Sequence, residues 1–200
     1  MIGLKVSVLI FIICSSFIGC KSSSNTPNNK KYTTSNNTTK VDKGEREFQE
    51  YLDRKKNQYV GTKIPDIVLK SLKGKTYNLS KMQGKIVLLN FWFAACKPCI
   101  TEISSLNELQ ANYKSKNLVI LAVGTDKKEV AQKVADEKKM RYEVIADRKD
   151  IAKQLDVSTY PTSFLIDQQG IIQQVFIGAS DFDATHAYTE IKPHIERLLK

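Results

Sequence analysis

Ile86-Val87-Leu88-Leu89-Asn90-Phe91-Trp92-Phe93-Ala94-Ala95-Cys96-Lys97-Pro98-Cys99 is the stretch on which the reading of the fold turns. Its apolar, partly β-branched first half predicts a buried strand, which delivers a Cys-x-x-Cys pair to the start of an amphipathic helix. A thiol at a helix N-terminus sits among unpaired N–H groups and the positive end of the macrodipole, which favour the thiolate. Pro98 suits the first turn, where no intrahelical N–H bond is needed. Cys99, three residues after Cys96, is near enough to resolve a mixed disulfide formed at the first sulfur. The arrangement predicts thiol–disulfide exchange.

Working outward toward the C-terminus, Leu118–Gly124 predicts a second buried strand. Thr125 or Asp126 is positioned to cap a following helix that turns Val130, Val134 and Ala135 inward. Tyr142–Ile145 predicts a strand and Asp150–Leu155 a short helix. Val157–Asp167 contains Tyr160-Pro161-Thr162 and a further strand, and Gln168-Gln169-Gly170 turns the chain into a strand over Ile171–Ile177. A last helix from about Ala184 carries Tyr188, Ile191, Ile195 and Leu198 on one side, with Pro193 expected to kink or restart it. The alternation predicts an α/β fold: a central mixed sheet with helices on both faces, β-α-β followed by β-β-α.

Toward the N-terminus, Ile64–Leu69 predicts an edge strand opened by Pro65, and Lys73-Gly74-Lys75 turns it back through Tyr77–Ser80. Residues 45–60 predict a short helical appendage with Phe48, Leu52 and Tyr59 at near-helical spacing. Between Ser22 and Lys40, 14 of 19 residues are Ser, Thr or Asn. Such a stretch builds no core, so residues 21–44 are expected to be a flexible tether with an r.m.s. span of about 25 Å. Residues 1–20 have Lys5, an apolar run too short to span a bilayer comfortably, and Gly19-Cys20; they predict a signal peptide. The fourteen residues that open this section therefore sit in a domain covering 61–200.

Four cysteines are present, of which Cys14 and Cys20 lie in the targeting segment. Only Cys96, Cys99, His186 and His194 remain as soft ligands, and the two histidines stand eight apart, so no metal site is expected. The net charge of +10 is spread along the chain, with no basic stripe interleaved with aromatics. That argues against nucleic acid as a partner and leaves general attraction to an anionic membrane surface.

Phe91-Trp92, Ala94-Ala95 and Cys96-Lys97-Pro98-Cys99 together resemble the active site of thioredoxin-fold oxidoreductases. More narrowly, they are similar to the TlpA/ResA-like, membrane-anchored extracytoplasmic branch. The resemblance departs at Ala95, where many members carry tryptophan. It implies an N-terminal β-hairpin ahead of the catalytic strand and an extra helix–strand insert. The 65 residues from Cys96 to Pro161 leave room for that insert. Gly19-Cys20 resembles a bacterial lipobox, with Phe17 in place of the usual leucine, which implies lipidation of Cys20. The resemblance implies a cis-proline loop at Tyr160-Pro161-Thr162, whose free backbone groups would pair with a client strand.

Cys96 is expected to be the nucleophile at the exposed end of the helix, and Cys99 the buried resolving thiol. Trp92 is expected to wall the site, and Lys97 to tune its reduction potential beside the client. Asn90 stands where a bare thioredoxin has a buried aspartate, and an amide cannot titrate. A wheel at about 100° per residue puts Glu102 inside the apolar face with Leu106, Leu109 and Tyr113. Glu102 is therefore expected to be a buried acid with a raised pKa that handles the dithiol's proton.

The function these features imply is that of a membrane-anchored extracytoplasmic thiol–disulfide oxidoreductase, a monomer with no cofactor beyond a redox-active Cys96–Cys99 disulfide. Its partners would be exported client proteins with disulfides and a membrane thiol reductant. One role in the family is keeping apocytochrome c haem-site thiols reduced. Two alternatives compete. A peroxiredoxin-like peroxidase would want Pro-x-x-x-Thr/Ser-x-x-Cys, and Leu89 and Phe93 fill the Pro and Thr/Ser places. A copper-binding or scaffold module would want a histidine beside the dithiol.

Overall fold

The computed structural model describes residues 43–200. The signal peptide, Cys20 and nearly all of the expected tether lie outside the described residues. The chain runs α1 (Lys43–Tyr59), β1 (Val68–Lys70), β2 (Thr76–Asn78), β3 (Ile86–Trp92), α2 (Lys97–Thr101) and α3 (Ile103–Tyr113). It continues through β4 (Leu118–Gly124), α4 (Lys128–Glu137), β5 (Glu143–Ile145), α5 (Lys149–Gln154), β6 (Thr162–Ile166), β7 (Ile172–Ile177) and α6 (His186–Leu198).

The main sheet has five strands in the order β5-β4-β3-β6-β7, with β1 and β2 forming a separate hairpin. β3 is central: it pairs parallel with β4 and antiparallel with β6. All seven of its residues are buried, which is what a strand covered on both faces requires. Alternation sorts them. Ile86, Leu88 and Trp92 pack with residues of α3, α4 and α6. Val87, Leu89 and Phe91 face the other way, toward the hairpin and α5. Asn90 shares the face of Leu88 and Trp92 by the same period of two. This is the predicted mixed α/β architecture, thioredoxin fold included.

Several local expectations give way to backbone chemistry. The strand expected over Ile64–Leu69 is confined to Val68–Lys70, with a single bridge from Lys63 to Ile171. Pro65 has no N–H to give a ladder. The helix after the cysteines is not continuous: α2 ends and α3 begins at Glu102, whose ψ is −9°. Val130 is 45 % exposed, whereas Ala131 and Ala135 form the buried stripe of α4. Moving the stripe by one residue rotates it about 100°, which takes Val130 outward. Neither Thr125 nor Asp126 caps α4; Lys127 holds that place without a side-chain bond. α6 runs through Pro193 without restarting. Pro193 is exposed, so the carbonyl it leaves unbonded faces the side where water can take it.

α1 begins two residues earlier than expected and is fastened to the segment before the cis-proline loop. Tyr51 Oη and Ser158 Oγ share a hydrogen bond of 2.7 Å, and Lys55 pairs with Asp156. Tyr59 Oη donates to the Leu155 carbonyl at 2.8 Å, and its ring meets Phe164 edge-on at 5.3 Å. Leu52 is the buried residue of the helix, while Phe48 is half exposed.

Candidate active site

The loop between β3 and α2 is held from three sides. Thr125 N–H donates to the Trp92 carbonyl at 3.2 Å, and Cys96 N–H to the Phe93 carbonyl at 3.1 Å. Ala94 N–H donates to Asp126 Oδ2 at 2.6 Å. Asp126, expected as a helix cap, instead fixes the approach to the first cysteine. The sequence signal for that role was weak, because an aspartate two residues past a buried strand reads first as a cap.

Cys96 is the N-cap of α2, with Pro98 in its first turn, and its sulfur accepts from the Cys99 N–H at 3.3 Å. Cys96 and Cys99 are joined in a disulfide, their Cα atoms 5.3 Å apart. Cys96 was expected at an exposed helix end, but in this oxidised state it is 5 % exposed and Cys99 2 %. The bridge folds the first sulfur against its partner, and little of Cys96 is left exposed. Trp92 is 1 % exposed and belongs to the same core cluster as both cysteines. It backs the dithiol as a wall and, at that burial, is not a surface on which a client could dock. Gly124, opposite Trp92 in the β3–β4 ladder, leaves the room: a Cβ there would stand 3.3 Å from Trp92 Nε1 and 3.1 Å from the Ile145 carbonyl.

Glu102 is where the wheel placed it, buried at 5 % exposure. Asn90 Nδ2 donates to its Oε1 at 2.8 Å and also to Ser163 Oγ at 2.9 Å. Desolvation pushes the Glu102 carboxyl up to about 8; the Asn90 hydrogen bond opposes this and the Glu190 charge adds to it. A carboxyl that keeps its proton to near-neutral pH can exchange it with a neighbouring thiol. Asn90 is thus the support of the acid, a role that its inability to titrate did not reveal.

The Tyr160–Pro161 peptide is cis. Pro161 is buried, and its carbonyl accepts from Gly178 N–H at 2.8 Å. Thr162 Oγ1 donates back to the Thr159 carbonyl at 2.8 Å. Tyr160 is half-buried and packs edge-on against Phe93 at 5.2 Å between centroids, so the loop and the dithiol approach share one wall. Lys97 is exposed, and its Nζ lies 4.2 Å from the centre of the Phe182 ring. Phe182 went unread in the sequence.

This site and fold have known counterparts. Residues 60–175 match the AhpC/TSA family. The chain is 36 % identical over 141 residues to thiol-disulfide oxidoreductase ResA of Geobacillus kaustophilus, covering 70 % of this chain and 78 % of that protein. The chain belongs to the AhpC/TSA family, in its ResA-like thiol–disulfide oxidoreductase branch. It is similar as well to thioredoxin-like protein YneN of Bacillus subtilis, 34 % identical over 135 residues, with 66 % of this chain and 79 % of that one covered. A Chlorobium tepidum crystal structure, provisionally described as thiol:disulfide interchange protein DsbE, superposes with a TM-score of 0.64 at 29 % identity. That match covers 70 % of this chain and 98 % of the other. The chain is accordingly an enzyme of the thiol–disulfide oxidoreductase class.

Proposed function

We propose that the protein is a lipid-anchored, extracytoplasmic reductase of disulfides in exported proteins. The observation that carries the reductive chemistry is the Cys96–Cys99 pair at the start of α2, one helical turn from a buried, proton-retaining Glu102. In the reduced enzyme the Cys96 thiolate attacks one sulfur of a client disulfide, forming a mixed disulfide and releasing the first client thiolate. In the fraction of the enzyme in which Glu102 is ionised, Cys99 then gives its proton to the Glu102 carboxylate, whose raised pKa makes it a strong enough base for a thiol, and the Cys99 thiolate attacks Cys96 Sγ. The Cys96–Cys99 bond forms, the mixed disulfide breaks, and the second client thiolate leaves. The client has gained two electrons and, from solvent and Glu102, two protons. A membrane thiol reductant returns both electrons by the same exchange in reverse.

Tyr160, Pro161 and Thr162 would hold the client strand alongside, and Lys97 would set the potential from between the cysteines. The anchor rests on Gly19-Cys20, and the extracytoplasmic setting on the resemblance to the ResA-like branch. Apocytochrome c is one client of suitable chemistry. Turnover of insulin disulfide with dithiothreitol, against consumption of peroxide or retention of copper, tests the class: peroxide consumption without insulin reduction would replace this reading. Cys96→Ser is expected to abolish turnover. Cys99→Ser is expected to keep a reactive thiol and accumulate mixed disulfides, and preferential alkylation of Cys99 in the wild-type dithiol would reverse the two roles.

A further inference from the structure

Phe182 is 88 % exposed, an unusual position for an aromatic ring with water on almost every side. It stands in the loop between β7 and α6, and that loop is tied to the dithiol helix. Thr101 Oγ1 of α2 donates to the Asp181 carbonyl at 3.3 Å, and Ser105 Oγ of α3 to the Ala184 carbonyl. The loop is internally set as well. Ser180 Oγ accepts from the N–H groups of Phe182 and Asp183 at 3.2 and 2.9 Å, and Asp183 Oδ1 accepts from Thr185 N–H at 2.8 Å. The ring is thus held out by a formed backbone rather than left on a loose end. One of its faces carries the Nζ of Lys97, the residue that follows Cys96, at 4.2 Å.

Exposing a phenyl ring has a hydration cost that folding would remove by turning it inward. Here the loop's hydrogen bonds keep it outward, over the side chain of Lys97, the residue that follows Cys96. On the approach to Cys96, Ala95 offers only a methyl group, and Phe93 is half-buried against Tyr160. Phe182 is therefore a large exposed apolar side chain tied, through Lys97 and the Thr101–Asp181 hydrogen bond, to the helix that carries the dithiol.

We propose that Phe182 is a specificity residue that receives a large apolar side chain of the client adjacent to its disulfide cysteine. The inference rests on the exchange reaction proposed above. The partner is an extended peptide with an aliphatic or aromatic residue beside its cystine. A basic client residue is disfavoured there, because Lys97 already occupies the ring with positive charge. Binding is realised while the mixed disulfide forms, so the contact lowers the barrier for clients that carry the apolar residue and does nothing for disulfides that lack it.

The test compares kcat/KM for two synthetic peptides, each with an intramolecular disulfide flanked by Leu or by Ser, with kcat/KM for bis(2-hydroxyethyl) disulfide, all with dithiothreitol as donor. In Phe182→Ala the ratio of Leu-peptide to hydroxyethyl disulfide is expected to fall about fivefold, as for one partly buried apolar contact. The Ser-peptide ratio should move by less than about half of that, and Phe182→Leu should restore most of the loss. An unchanged Leu-peptide ratio in Phe182→Ala would overturn the proposal. So would an equal fall for all three substrates, which would mean that Phe182 acts only through Lys97 on the dithiol. If the wild-type enzyme reduces none of the three, the exchange reading itself fails, and that result is distinct from a flat ratio.

Discussion

Glu102 ties proton handling to stability with a definite sign. Its carboxyl titrates near 8 in the folded chain, against 4.5 for the free group. Below about pH 4.5 folded and unfolded chains both keep the proton, and no penalty exists. Between there and 8 the unfolded chain ionises first, so folding stability falls as pH rises, by about 1.4 kcal/mol for each unit of the shift. Glu102→Gln keeps an oxygen for Asn90 and cannot ionise. It is expected to be several kcal/mol more stable than the wild type at pH 8.5 and similar at pH 4, read by denaturant unfolding of the oxidised proteins. Its exchange rate should be lower and its pH profile flatter between about 5 and 8. A Glu102 carboxyl titrating at or below about 4.3 ends the acid's role. At Asp126 the expectation concerns geometry: Asp126→Ala strips the acceptor from Ala94 N–H and should cost about 1 kcal/mol. Exchange should slow with it while the pH profile keeps its shape. Glu102 was legible because a wheel needs only the sequence. Asp126 was not, because its partner lies 32 residues away and local capping rules compete for the same side chain.

Among the elements, α1 adds no strand to the sheet, yet it packs on β6 through Tyr59 and touches what serves the chemistry. Its tyrosines and Lys55 engage Leu155, Asp156 and Ser158, just ahead of Tyr160-Pro161. Leu52→Ala removes its one buried aliphatic side chain and should destabilise by about 2 kcal/mol, the low end for such truncations because the site lies at the surface. Hydrogen exchange at residues 155–160 should speed up more than in β3. Equal exchange across both segments would show that α1 does not brace the loop. The strands were legible wherever burial on both faces made an unbroken apolar run, as in β3 and β4. The helix facing was harder. α4 packs through alanines, so the larger Val130 drew the expectation outward by one residue, and nothing local marked Glu102 as the break between α2 and α3. The chain turns there at the residue whose carboxyl reaches inward to Asn90.

For the whole molecule, the testable claim is where it resides. Cys20→Ser is expected to leave an unprocessed precursor and abolish lipid labelling; labelling that persists would remove the lipobox reading. Held on a membrane as proposed, the domain would meet its own copies at high local concentration, and the five-stranded sheet has two borders to which a foreign strand can add. Neither border is bare. Beside β7, Gly61 N–H donates to the Ile172 carbonyl, Ile64 N–H to the Gly170 carbonyl, and Ile172 N–H to the Thr62 carbonyl. At the far side, Leu72 N–H takes the Val144 carbonyl of β5, and Arg148 Nη1 secures the Val68 carbonyl of the hairpin. One continuous N-terminal belt, from Gly61 to Leu72, thus occupies backbone groups at both margins of the sheet. Its consequence is colloidal: copies crowded side by side, as the proposed anchor would crowd them, can collide without zipping into cross-β aggregates.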